Sequence, residues 1–138
     1  MWFKNLQLYR LRTPWAMTPE QLNELLSSQS FQPTNSSEMQ SHGWMSPRND
    51  GSLVYTVGKQ MLLLMGVEKK LLPSSVINQF AKERANDLEE KQGFKPGRKQ
   101  KKDIRDQVID ELTPRAFSIL RSTWVWIDPV NGWLVIDT

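Results

Sequence analysis

Apolar and polar positions alternate imperfectly over residues 2–12, where Phe3, Leu6 and Leu8 stand among Trp2, Lys4, Gln7 and Arg10. That pattern predicts a strand. Thr18-Pro19-Glu20-Gln21 then reads as a helix start. Thr18 serves as the cap, Pro19 fits the first helical position, and Gln21 stands where a capping box needs it. Met17 and Leu22 make the matching hydrophobic staple, and Leu22, Leu25 and Leu26 an apolar stripe, so a helix of about three turns is expected. Residues 28–50 are rich in Ser, Gln, Asn and Pro and read as loop, with a short strand around Gly43–Met45 and a turn at Asn49-Asp50-Gly51. Leu53–Val57 and Gln60–Val67 follow as two strands joined at Gly58-Lys59. The unbroken run Met61-Leu62-Leu63-Leu64-Met65 predicts burial on both faces of the second.

The period then changes from two to nearly four. Pro73-Ser74-Ser75 opens a helix that can run to about Gln92, with Ile77, Phe80, Ala81 and Leu88 at helical spacing. Gly93-Phe94-Lys95-Pro96-Gly97 breaks it. A second helix is expected from about Arg98 to Leu112, with Ile104, Val108 and Leu112 on one face and Pro114 marking its end. Two long helices across a short Gly/Pro link make an αα-hairpin at about residues 74–112. Ser122–Thr138 closes the chain as two strands around Val130-Asn131-Gly132, with either a two-residue turn or a three-residue turn and a bulge. Those alternatives give different registers and both stay open. The predicted fold class is α+β: a largely antiparallel sheet with one short helix and a protruding hairpin of two long helices.

Composition narrows the class. A chain of 138 residues, 38% hydrophobic and 24% charged, is most simply one soluble domain with a real core. It has no cysteine, which excludes disulfides and thiolate chemistry and suits a cytosolic protein. The longest apolar run is too short to cross a bilayer, and the N-terminus lacks a secretory apolar stretch, so no membrane association is expected. The sequence stops at Thr138 directly after the strand residues Leu134–Ile136, which leads us to expect a portion of something longer.

Charge is where the chain departs from an ordinary domain. The formal net charge is only +3, yet residues 93–107 hold six basic residues, Lys95, Arg98, Lys99, Lys101, Lys102 and Arg105, against two aspartates. Such a cluster is either a solvated helix tip or a surface that neutralises phosphates without reading bases. The six tryptophans are either stacking platforms for nucleic-acid bases or sheet packing. Packing is favoured, because Trp124 and Trp126 share a strand face with Trp133 across the hairpin. Asp103, Asp106 and Asp110 lie near one helix face, where they could hold a hard cation, but they alternate with Lys102 and Arg105 as on a salt-laced exposed helix. His42 is the only histidine and no Cys is present, so a zinc site of the usual kind is excluded. No other metal and no cofactor is expected. The sequence carries no Gly-rich phosphate loop and no nucleophile elbow, and the reading is non-enzymatic. Phe117, after the helix-ending Pro114 and near Arg115, is either a core anchor or a contact for another subunit.

Several blocks occur in an order that resembles the bacterial recombination-associated RdgC family. They are the opening WFKNLQLYRL, Gly43-Trp44, Leu72-Pro73-Ser74, the run Leu112–Ser118 (LTPRAFS) and the run Trp126–Gly132 (WIDPVNG). The resemblance runs through the whole chain and corresponds to the N-terminal portion of a longer protein, so residues 1–138 are expected to be that part of a ring-forming DNA-binding protein. It implies a non-enzymatic, nucleoid-associated cytoplasmic protein that closes as a homodimeric ring around double-stranded DNA, with little sequence preference. It also implies restraint of the RecA recombinase, through occupation of the DNA that RecA must use. In the family the phenylalanine of the Pro-Arg-Ala-Phe block lies at a subunit contact, which carries over to Phe117 with Arg115 beside it. No individual DNA-contacting lysine carries over, so Lys95, Arg98, Lys99, Lys101, Lys102 and Arg105 rest on their charge alone. The rival from another class is a protein-interaction module whose helical hairpin docks a partner and whose basic segment aids solubility. A metal-dependent nuclease stands third.

Overall fold

The computed structural model describes residues 3–138; Trp2, expected at the head of the first strand, lies outside them. In chain order the elements are β1 (Leu6–Arg10), α1 (Pro19–Ser27), β2 (Gln40–Met45), β3 (Tyr55–Val57), β4 (Gln60–Lys70), α2 (Ser74–Gln92), α3 (Arg98–Leu112), β5 (Ser118–Asp128) and β6 (Trp133–Asp137). A 3₁₀ turn over Thr113–Arg115 links α3 to β5. The six strands form one sheet in the order β1-β6-β5-β4-β2, with β3 also paired to β4. The β1–β6, β3–β4 and β5–β6 pairs are antiparallel. The α+β class and the largely antiparallel sheet are as expected.

Contacts divide the chain into a sheet unit (residues up to Pro33, Ser41–Glu68 and Leu120–Thr138) and a helical unit (Thr34–Gln40 and Lys69–Ile119). The sheet unit has its own core of Leu22, Val54, Met61, Leu63, Val125 and Ile127, with Trp15, Met17, Leu26 and Trp44 packed against it. Burial of such side chains, worth about 1.5–3 kcal/mol each, is what holds the sheet to α1. The start of α1 forms as the sequence predicts. Gln21 N–H donates to Thr18 Oγ1 at 3.2 Å, and Thr18 N–H donates back to Gln21 Oε1 at 3.0 Å. The apolar stripe is narrower than expected, since Leu25 is 59% exposed while Leu22 and Leu26 meet the core. Burial of the adjacent Leu63 and Leu64 confirms that β4 is covered on both faces at that point.

Two turns show how local chemistry sets register. Val57 pairs with Gln60, so Gly58 and Lys59 form a two-residue hairpin loop, and Gly58 takes a positive φ of 58° that a side chain would resist. The C-terminal hairpin corrects both expected alternatives. Asp128 pairs with Trp133, which leaves a four-residue loop from Pro129 to Gly132. The Asp128 carboxylate accepts the backbone N–H groups of Val130 and Asn131, each at 3.1 Å, and the Asn131 amide at 2.9 Å. Asn131 is therefore used as a side-chain donor, and the positive φ falls on Gly132. At the other end of β6, the Asp137 carboxylate accepts N–H bonds from Phe3, Lys4 and Asn5, which fixes the entry to β1.

Strand β2 begins at Gln40, three residues before the trace expected at Gly43–Met45, and its far end also meets the segment after α1. Phe31 N–H donates to Trp44 O at 2.8 Å, and Trp44 N–H donates to Gln29 O at 2.9 Å. The chains approach so closely that a Cβ on Gly43 would stand 2.5 Å from the Phe31 backbone. Strand β5 likewise begins at Ser118 rather than Ser122.

Candidate nucleic-acid interface

The helical unit is built around the paired helices α2 and α3, with a core of Ile77, Ile104 and Val108 supported by Ala81, Ala85 and Leu88. Phe80, expected on that face, is exposed. Val108 is 0% exposed, the most deeply buried side chain of the unit. Helix α2 ends because Gly93 takes φ 83° and its N–H closes on Glu89 O at 2.8 Å, a left-handed cap that favours glycine. Helix α3 is capped by Gly97, whose N–H donates to the Gln100 side chain at 3.0 Å. The Gln100 amide in turn donates to Gln92 Oε1 at 3.0 Å, tying the two helices together beside the link. No acidic residue occupies the first turn of α3, which instead carries Arg98 and Lys99. Cations there oppose the helix dipole.

The helices leave a groove on each flank, and the two differ in charge. One groove, of about 530 Å³, is lined by Lys82 on α2, Lys95 on the link, and Lys101 and Arg105 on α3, with Glu89 as its carboxylate. Its floor is apolar and small-sided, at Ala81, Ala85 and Ile104. The other groove is mixed, with Arg84 and Lys91 facing Asp87 and Asp103. On that flank Arg84 is also ion-paired with Glu111, which holds the Glu111 carboxyl below its ordinary range and raises the guanidinium. None of Lys82, Lys95, Lys101 or Arg105 is ion-paired among the described residues. Arg105 donates instead to the neutral Asn78 Oδ1 at 2.5 Å, so its charge stays uncancelled.

The structure therefore subdivides the basic cluster. Lys95, Lys101 and Arg105 share one groove, while Arg98, Lys99 and Lys102 are exposed and line neither. Lys82 joins the first set although it lies outside the charge run. A lysine beside Glu83, outside the charge run, gives no compositional signal. Asp103 lies on the mixed flank, and no group of three or more His, Cys, Asp or Glu placed to hold a metal occurs among the described residues.

The tryptophans whose contacts are resolved serve the sheet. Trp15 and Trp44 pack on the core, and Trp126 Nε1 donates to Gln60 Oε1 at 2.7 Å. The Arg10 guanidinium covers the Trp133 ring at 4.6 Å. Arg115 is exposed at the end of the 3₁₀ turn, and Phe117 is 85% exposed just before the strand it introduces. Phe117 is thus no core anchor of this chain.

The fold and the charge distribution define an α+β chain that presents an unneutralised basic flank on a helical hairpin. Comparison with known proteins places that chain in a family. The family described as "Putative exonuclease, RdgC" matches residues 1–138, and the chain belongs to it. The recombination-associated protein RdgC of Janthinobacterium sp. (strain Marseille) is 64% identical over 137 residues, covering 99% of this chain and 46% of the relative. Its namesakes in Herminiimonas arsenicoxydans and Burkholderia ambifaria are 64% and 62% identical over the same length. The chain spans about half the length of the curated relatives it matches. No helix among the described residues is long and apolar enough to cross a membrane.

Proposed function

We propose that this chain is the N-terminal part of a protein that binds duplex DNA without sequence preference and restrains RecA-dependent recombination by occupying that DNA. The observation that carries the reading is the concentration of cations, none of them ion-paired among the described residues, on one segment: Lys95, Arg98, Lys99, Lys101, Lys102 and Arg105. Uncompensated lysines and arginines neutralise phosphates and release counterions, which gives affinity without base readout. The name of the relatives, recombination-associated protein, supports DNA as the setting. The protein acts in the cytoplasm, on the nucleoid, as a homodimeric ring. Arg115 and the exposed Phe117 lie at the contact between its subunits. No cofactor takes part.

The test uses the full-length protein on two unrelated duplexes of equal length, across a salt series. Equal affinities that fall steeply and in parallel with salt support the reading. A protein-interaction module, docking through apolar helix faces, would show much weaker salt dependence and no parallel between DNA and function. The family description raises a second reading, an exonuclease. Shortening of end-labelled duplex by the full-length protein in magnesium would favour it over simple binding.

A further inference from the structure

We infer that the phosphodiester backbone is held by one flank of the hairpin only, the groove of Lys82, Lys95, Lys101 and Arg105, and that Lys82 belongs to the DNA-binding set. The inference rests on the proposed DNA binding and assigns it to a face. It stands on three features of the helical unit. The first is charge: the groove carries four cations against the single carboxylate of Glu89, whereas the opposite groove balances Arg84 and Lys91 with Asp87 and Asp103. A polyanion that approaches the hairpin is attracted to one side and finds no net attraction on the other.

The second feature is shape. The cations come from three separate segments, α2, the link and α3, and converge on one concavity of about 530 Å³. Lys101 and Arg105 stand one helical turn apart, about 6 Å along the axis. Ala81 and Ala85 leave the floor open, so a phosphate can approach between the rims instead of resting on a convex tip. Arg98, Lys99 and Lys102, although equally basic, line neither groove. The third feature is availability. Arg105 is oriented by Asn78, a neutral partner, while the arginine of the opposite flank is already committed to Glu111. Glu89 is the one opposing charge in the groove and acts as a brake on affinity.

The experiment compares two full-length variants with the same loss of charge, each measured by salt titration on duplex DNA. In the first, Lys82, Lys95 and Lys101 become Gln; in the second, Arg98, Lys99 and Lys102 become Gln. Each lost phosphate contact lowers the slope of log affinity against log salt by about 0.9, so the groove variant should lose about 2.7 and the second variant less than about 1. Glu89→Gln should tighten binding, because it removes the groove's only anion. Equal losses in both variants would overturn the assignment to one flank while leaving DNA binding intact. A wild-type protein that fails to bind duplex would overturn DNA binding itself, and the groove assignment with it. A further arm uses inorganic tripolyphosphate as competitor. Binding as tight as that of duplex, abolished by the groove substitutions, would identify a pocket for small polyphosphates and contradict a backbone-tracking surface.

Discussion

The backbone N–H of Leu71 donates to the carbonyl of Phe117 at 2.6 Å, while the Phe117 ring is left 85% exposed. The main chain at this junction is fixed, and the side chain it presents makes little use of the fold. Replacement by serine should therefore change folding stability by no more than about 0.5 kcal/mol, as for an ordinary surface position. In the full-length protein Phe117→Ser should weaken self-association markedly. Sedimentation and thermal melting of the variant separate the two effects: an unchanged dimer with a collapsed melting temperature would contradict an interface role.

Asp128 gives the C-terminal hairpin a pH dependence. The Asn131 amide, then the Gln60 amide and two backbone N–H groups, hold its carboxyl below the ordinary carboxylate value. A carboxylate with a depressed folded pKa contributes stability that is present above its unfolded value of about 3.9 and lost as pH falls through the folded value. Asp128→Ala should melt lower than wild type at neutral pH and show a shallower loss on acidification below about pH 5. Equal melting temperatures at pH 7 would show that the loop is held by Gly132 and the strands alone.

Part of the sheet face opposite the core is apolar and exposed, around the buried Val135. Leu6, Leu8, Val57 and Trp126 are all exposed there, since Leu8 pairs with Val135, Trp126 with Val135, and Val57 with Gln60, which bonds Trp126. Strand β1 is also an edge with unpaired backbone groups. Both features invite association. The 138-residue chain should self-associate with rising concentration, and Leu8→Lys should reduce this. A chain that stays monomeric into the millimolar range would contradict the expectation.

The parts of this fold legible in the sequence are those whose chemistry is local. Thr18 and Gln21 announced α1, and Gly93 and Gly97 bounded the two long helices, because caps and breakers act within a few residues. Strand β2 is hard to read because Gln40, Ser41 and His42 give no alternation, and it forms by lying beside β4, a partner distant in sequence. The loop after Asp128 departs from the expected turns because Asn131-Gly132 has a turn signature of its own, whereas here the Asp128 side chain organises the loop. For the candidate site, the sequence located the cations but not their division into flanks. That division depends on how α2 pairs with α3, which is also why Lys82 escaped a count of neighbouring charges.

The most direct test of the central claim, that this hairpin meets DNA phosphates, is a salt titration of full-length protein in which Lys95, Arg98, Lys99, Lys101, Lys102 and Arg105 are all replaced by Gln. Circular dichroism checks that the helices persist. If at least three of these side chains contact phosphates, the slope of log affinity against log salt should fall by about 2.7 or more, equally on two unrelated duplexes. A folded variant with wild-type slope and affinity would contradict the claim and place the DNA-binding charge outside the hairpin.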